Sequence, residues 1–231
     1  MDSIVGLVNF SMAQRKQFFA LATLIFAGLV YLFAWSPVFT VRSIETTGLP
    51  KSVSSESIVA RSHILVGAKL SRIEPRAAEK SLTELSWIKE ASVSRNWING
   101  KVVVAITPRV AVGIYKGKAI DRQGVIFELP GEATKDLPVV SAATPELGLT
   151  AISLFTGLPA DIREKLISLN ATNESSISSW QEWNGREIKV MWGSADQVDL
   201  KVSVLKALLA LPENKSIGRV DLSAPHAPIV K

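Results

Sequence analysis

His63, His226, Asp121 and the tryptophans 180, 183 and 192 are the side chains of this 231-residue chain whose types and spacing invite a chemical reading. A serine nucleophile would need a histidine base and an orienting carboxylate beside it. The two histidines fall in different predicted domains, and His226 sits in a proline-rich stretch between Pro225 and Pro228. No HExxH, GxSxG, P-loop or GxGxxG spacing occurs. With no cysteine there is no thiolate metal site, no cysteine nucleophile and no disulfide framework, although the compartment stays open. Paired carboxylates act through a distance in space, and nothing in the sequence marks such a pair. Asp121, three residues before Gly124, reads as a turn aspartate whose carboxylate accepts backbone N–H groups. His63 reads as a solvated residue near a helix end, with a pH sensor as the alternative. The tryptophans read as strand packing, with a ligand-stacking platform as the alternative. The expectation is a non-enzyme with no catalytic residue, cofactor or metal site.

The elements that position these residues begin with an uncharged run, Phe18 to Trp35, directly after Arg15 and Lys16. Eighteen residues at a helical rise of 1.5 Å cover about 27 Å, close to the hydrocarbon thickness of a bilayer. The run exceeds a signal-peptide apolar core, and only Ala34-Trp35-Ser36 suggests a cleavage site, so an uncleaved anchor is expected. Charge alone leaves orientation open, since Arg42 and Lys51 balance Arg15 and Lys16. The net charge of +5 contains no block of five or six like charges and leaves no nucleic-acid footprint; weak attraction to anionic lipid or cell wall fits it.

From Phe39 to Arg109 the pattern predicts strand, helix, helix, hairpin. Residues 41–46 alternate, and Gly48-Leu49-Pro50 ends them. A helix capped by Ser54 or Ser55 places Ile58, Val59 and Leu65 on one face, with Ala60 and Ile64 beside it; Pro75 opens a second, with Ala78, Leu82 and Leu85. Two alternating runs then flank Asn99-Gly100, which predicts a type I′ turn. The result is an α+β unit with two helices on one face of a three-stranded sheet.

Beyond Arg109, strands dominate. Residues 110–115 and 118–121 flank Lys116-Gly117, and 125–128 follow Gly124. Thr144-Pro145 predicts a helix with Leu147, Ala151 and Leu154 on one face, which Gly148 weakens by about 1 kcal/mol relative to alanine. Pro159 predicts another, with Ile162, Leu166 and Leu169 at i, i+4 and i+7. Asn184-Gly185 predicts a second hairpin. Ser194-x-x-Gln197 reads as a capping box for a helix with Val198, Val202, Leu205 and Leu209 buried, and with Lys201 and Lys206 on a solvated face. A short strand, Ile217 to Ser223, closes the pattern before the prolines at 225 and 228.

A membrane run, Phe39-x-Val41-x-x-Ile44-x-x-x-Gly48, Gly67-x-x-Leu70, Trp87-Ile88-x-x-Ala91-x-Val93-x-Arg95-x-Trp97 and Pro108-Arg109-x-Ala111-Val112 follow in order. Asp121-x-x-Gly124-Val125-Ile126-Phe127 and Leu137-Pro138 come next. Together they resemble the FtsQ/DivIB family of bacterial cell-division proteins, whose membrane-proximal module is a POTRA domain. Thr107 departs from an acidic residue usual before Pro-Arg, and Ile98 from a proline that often follows the tryptophan.

The resemblance implies a short cytoplasmic segment (1–17), a transmembrane helix (18–35), a POTRA domain (39–109), a mostly antiparallel β domain with flanking helices (110–225) and a tail (226–231). It implies a single-pass type II protein of the cell membrane, its bulk outside the cytoplasm and enriched at the division septum. The function implied is a divisome scaffold that docks FtsB-like and FtsL-like partners and links them to septal peptidoglycan synthesis. The family's FtsB contact, carried over by motif, points to the terminal strand: Arg219, Val220, Asp221, Leu222 and Ser223. Proline at Leu222 is expected to abolish that contact while sparing the POTRA module. The competing readings are a membrane-anchored cell-wall hydrolase and a POTRA scaffold for protein transport; the latter usually carries tandem modules or barrel strands.

Overall fold

A computed structural model describes residues 12–34, 39–132 and 137–231. Its first element, helix α1 (Met12–Ala34), has 23 residues, and its described side chains, Arg15 to Tyr31, are all exposed. Among the described residues no helix is long and apolar enough to cross a membrane. The predicted span 18–35 falls on α1 except for Trp35, which lies outside the described residues, as do residues 1–11 of the predicted cytoplasmic segment.

The chain forms two compact units, one running through Leu49, Ser54–Thr83 and Glu90–Ile106, the other through Pro50–Val53, Glu84–Lys89 and Thr107–Lys231. In the first, the predicted order β-α-α-β-β is found: β1 (Ser43–Thr47), α2 (Ser55–Ser62), a 3-10 turn at Leu70–Arg72, α3 (Pro75–Thr83), β2 (Ile88–Arg95) and β3 (Lys101–Pro108). The sheet order is β1-β3-β2, with β1 parallel to β3 in the register Ile44 to Val102. Ser54 caps α2, its hydroxyl accepting the Ser57 N–H at 3.3 Å. His63 ends that helix in the left-handed region at φ 57°. Leu65 consequently lies outside the helix and is 71% exposed instead of buried on its face.

Gly48 explains its place in the motif. Its φ is +77°, and a Cβ there would stand 2.0 Å from the Ile106 carbonyl oxygen. Gly48→Ala is expected to cost about 2–3 kcal/mol, read as a lower urea midpoint, because strain at positive φ adds to displacement of the β3 backbone.

The Asn99-Gly100 prediction needs correction. Only Gly100 has positive φ, and Asn96 to Gly100 form a longer loop between β2 and β3. The Asn96 carboxamide oxygen accepts the N–H groups of Ile98 (3.0 Å) and Asn99 (3.3 Å), so a side chain, not a two-residue turn, organises the tip.

Among the described residues the second unit holds nine strands in the order β12-β11-β10-β9-β8-β7-β4-β5-β6. They are β4 (Ala111–Tyr115), β5 (Lys118–Asp121), β6 (Ile126–Phe127), β7 (Val139–Ala142), β8 (Leu166–Ala171), β9 (Ile177–Trp183), β10 (Arg186–Gly193), β11 (Arg219–Asp221) and β12 (Ile229–Val230). The pairs β4–β7, β7–β8 and β10–β11 are parallel and the remaining five antiparallel. Parallel neighbours need long crossovers. Helices α4 (Pro145–Gly157) and α5 (Ala160–Arg163) supply the one from β7 to β8, and α6 (Val198–Ala210) the one from β10 to β11. Ala151, Leu154, Ile162, Val202 and Leu205 from these helices join Val140, Leu169, Val190, Trp192, Val220 and Leu222 in one core.

Thr144 caps α4 as predicted, accepting the Leu147 N–H at 3.4 Å. Gly148 has a packing reason, since a Cβ there would lie 3.2 Å from the Tyr115 ring. Asn184 and Gly185 have φ values of 52° and 75°, the paired positive values of the predicted type I′ turn. Three expectations fail. The helix after Pro159 ends at Arg163, and Leu166–Ala171 is a strand, because those residues also alternate and Leu169 and Ala171 point into the core. The capping box does not form: α6 starts at Val198 behind a left-handed Gln197, and the Ser194 hydroxyl donates to Asp196. Lys201 is 1% exposed, because its Nζ reaches back to the Ser194 carbonyl and the Asp196 carboxylate, each at 2.9 Å. Lys206 is exposed and paired with Asp161.

A candidate docking edge on the nine-stranded sheet

The predicted site, 219–223, is β11 and the two residues after it. Val220 and Leu222 are fully buried, Arg219 and Ser223 exposed, and Asp221 half-buried, as alternation requires. The Asp221 carboxylate accepts the Ser223 hydroxyl (2.7 Å) and N–H (3.1 Å) and faces Arg219 at 3.4 Å. Burial raises its pKa, but the two Ser223 donors and the guanidinium outweigh that and hold it below the ordinary value.

β11 is not the sheet edge. One side runs parallel to β10, with Val190 opposite Val220, and the Leu222 N–H donates to the Met191 carbonyl at 2.7 Å. Its other side is covered by β12, which occupies part of the predicted tail. Arg219 and Lys231 exchange both backbone hydrogen bonds at 3.0 Å, so the N–H and C=O of Val230 face away from β11. Among the described residues no strand lies beyond β12. The sequence signal was an Ile-Val pair after Pro228, too short to read as a strand.

Asp121 is a turn residue: its carboxylate accepts the N–H groups of Gln123 (2.9 Å) and Val125 (3.0 Å). It also pairs at 2.8 Å with Arg109, the arginine of the Pro-Arg motif. Arg109 in turn donates to the Ser86 carbonyl at 3.1 Å. His226 is exposed beyond β11. The tryptophans do not form one platform. Trp192 is buried and donates to the Ser179 hydroxyl at 2.8 Å, and Trp183 donates to the Gln181 carboxamide at 2.9 Å. Trp180 is 41% exposed opposite Lys189.

A β-α-α-β-β unit followed by a large mixed sheet flanked by helices defines a POTRA protein with a C-terminal β domain. The family model "POTRA domain, FtsQ-type" matches residues 39–109, and "Cell division protein FtsQ/DivIB, C-terminal" matches residues 109–223. The chain belongs to the FtsQ/DivIB family of cell division proteins. Over 220 residues it is 26% identical to the cell division protein FtsQ of Mycolicibacterium smegmatis, covering 92% of this chain and 63% of that one. It is 24% identical over 208 residues to FtsQ of Corynebacterium glutamicum (86% and 90% covered). It is 33% identical over 100 residues to FtsQ of Nitrosospira multiformis (43% and 40% covered).

Proposed function

We propose that the chain is a non-enzymatic scaffold of the divisome, anchored in the cell membrane by the apolar run 18–35. Its POTRA domain (39–109) and β domain lie outside the cytoplasm and dock FtsB-like and FtsL-like partners that lead to septal peptidoglycan synthesis. The observation that carries the docking reading is the outward backbone of Val230 on the two-residue strand β12. An incoming segment that adds beside it satisfies that N–H and C=O by β-augmentation. The docking surface is therefore centred on β12, with Arg219 and Ser223 flanking it and Val220 and Leu222 supporting it from the core.

Val230→Pro removes the outward N–H without deleting a hydrogen bond to β11. The expected result is a loss of affinity for an FtsB-like partner of about tenfold or more, with the thermal midpoint nearly unchanged. Unchanged co-purification would remove β12 from the docking surface.

A further inference from the structure

Four large apolar side chains of the first unit are exposed at one end of its sheet. Leu65 and Val66, in the loop between α2 and the 3-10 turn, are 71% and 65% exposed. Trp97 and Ile98, in the loop between β2 and β3, are 36% and 94% exposed. Both loops are tied to the residues by which the chain enters this unit. Thr40 bridges to Lys69, the Val41 N–H donates to the Ala68 carbonyl, and the Gly67 N–H donates to the Val41 carbonyl, both at 2.8 Å. The Arg42 N–H donates to the Gly100 carbonyl at 2.8 Å, and the rings of Phe39 and Trp97 meet edge-to-face with centroids 6.1 Å apart. Arg95 lies over the Trp97 ring at 5.3 Å.

The end that carries these loops has little freedom to stand away from α1. Ala34 closes that helix five residues before Phe39, and five residues of extended chain span at most about 18 Å. The charge is one-sided as well. Segments 39–42, 63–72 and 95–101 contain Arg42, Lys69, Arg72, Arg95 and Lys101 and no acidic residue; Lys101 pairs with Glu45 on β1. Apolar tips and a tryptophan within a basic rim match the boundary between anionic headgroups and acyl chains.

We propose that Leu65, Val66, Trp97 and Ile98 seat this end of the POTRA unit in the headgroup layer of an anionic membrane. The inference rests on the reading of α1 as a membrane anchor. The bilayer then holds the unit at three points, the tether and two loop tips, and fixes its orientation as well as its distance from the surface.

The absence of cysteine makes the test direct, since single cysteines can be introduced into the full chain and labelled with an environment-sensitive fluorophore. Leu65→Cys and Ile98→Cys report the loops, Leu24→Cys reports α1, and Thr47→Cys reports the other end of β1, about 20 Å from Thr40. The labelled chains are reconstituted into phosphatidylglycerol–phosphatidylcholine vesicles. The expected result at 65 and 98 is quenching by shallow spin-labelled lipid and iodide access reduced about threefold or more relative to position 47. Iodide access at 65 and 98 equal to that at 47, with position 24 still quenched by lipid, overturns the proposal and leaves the anchor standing. Iodide access at 24 as well overturns the anchor and the proposal together. Loops that read as aqueous until a partner protein is added assign the surface to that protein, and overturn the lipid reading.

Discussion

Asp121→Ala is expected to destabilise the β domain by about 3–5 kcal/mol, because it leaves the Arg109 guanidinium and two turn N–H groups without their acceptor. The Asp121 side chain is 7% exposed and that of Arg109 is 19% exposed, so water replaces little of what is lost. Burial raises the Asp121 pKa, but the Val125 N–H, Arg109 and the Gln123 N–H outweigh it and hold the carboxyl below its ordinary 3.8. A carboxylate with a depressed folded pKa contributes stability that is fully present above the unfolded value. That contribution fades as pH falls below about 3.8 through the folded pKa. Urea midpoints measured across this window should fall more steeply for the natural chain than for Asp121→Asn. Parallel pH profiles would show that the ion pair contributes nothing.

Leu222→Pro is the second large expected effect, and it acts on stability before it acts on docking. The Leu222 N–H donates inward to Met191 and its side chain is fully buried in the core beside Trp192 and Val220. Proline removes that hydrogen bond, empties part of a packed site and forces φ, for a combined cost of about 4 kcal/mol or more. Near-UV circular dichroism should show loss of β-domain packing, whereas Val230→Pro should leave it intact. A native spectrum for Leu222→Pro would mean that β11 tolerates the loss of its link to β10.

Which features were legible follows from how local their causes are. Asn184-Gly185 was readable because two positive φ values satisfy the turn without outside help. Asn99-Gly100 carries the same dipeptide, yet Asn96 three residues earlier takes over the loop through its carboxamide. The helical spacing of Ile162, Leu166 and Leu169 was real but ambiguous, and parallel pairing of β8 with β7 decided it. Leu65 continued a helical period past His63, where the left-handed backbone had already ended the helix. Lys201 looked solvated because nothing in its own turn announces that Ser194 and Asp196 will receive its ammonium. Residues 219–223, proposed for docking, form β11 and the two residues after it, one strand in from β12, and β12 is a two-residue strand with no pattern of its own.

Among the described residues the nine-stranded sheet ends in two-residue strands on both sides, β6 and β12. A long flat apolar border would let copies of the chain stack border to border into fibres. Borders this short offer too few backbone groups to template a second copy. In the docking proposed at β12, a partner strand would have to extend past β12 and take its remaining affinity from side chains, so the truncation that guards against self-polymerisation would also set selectivity for the partner.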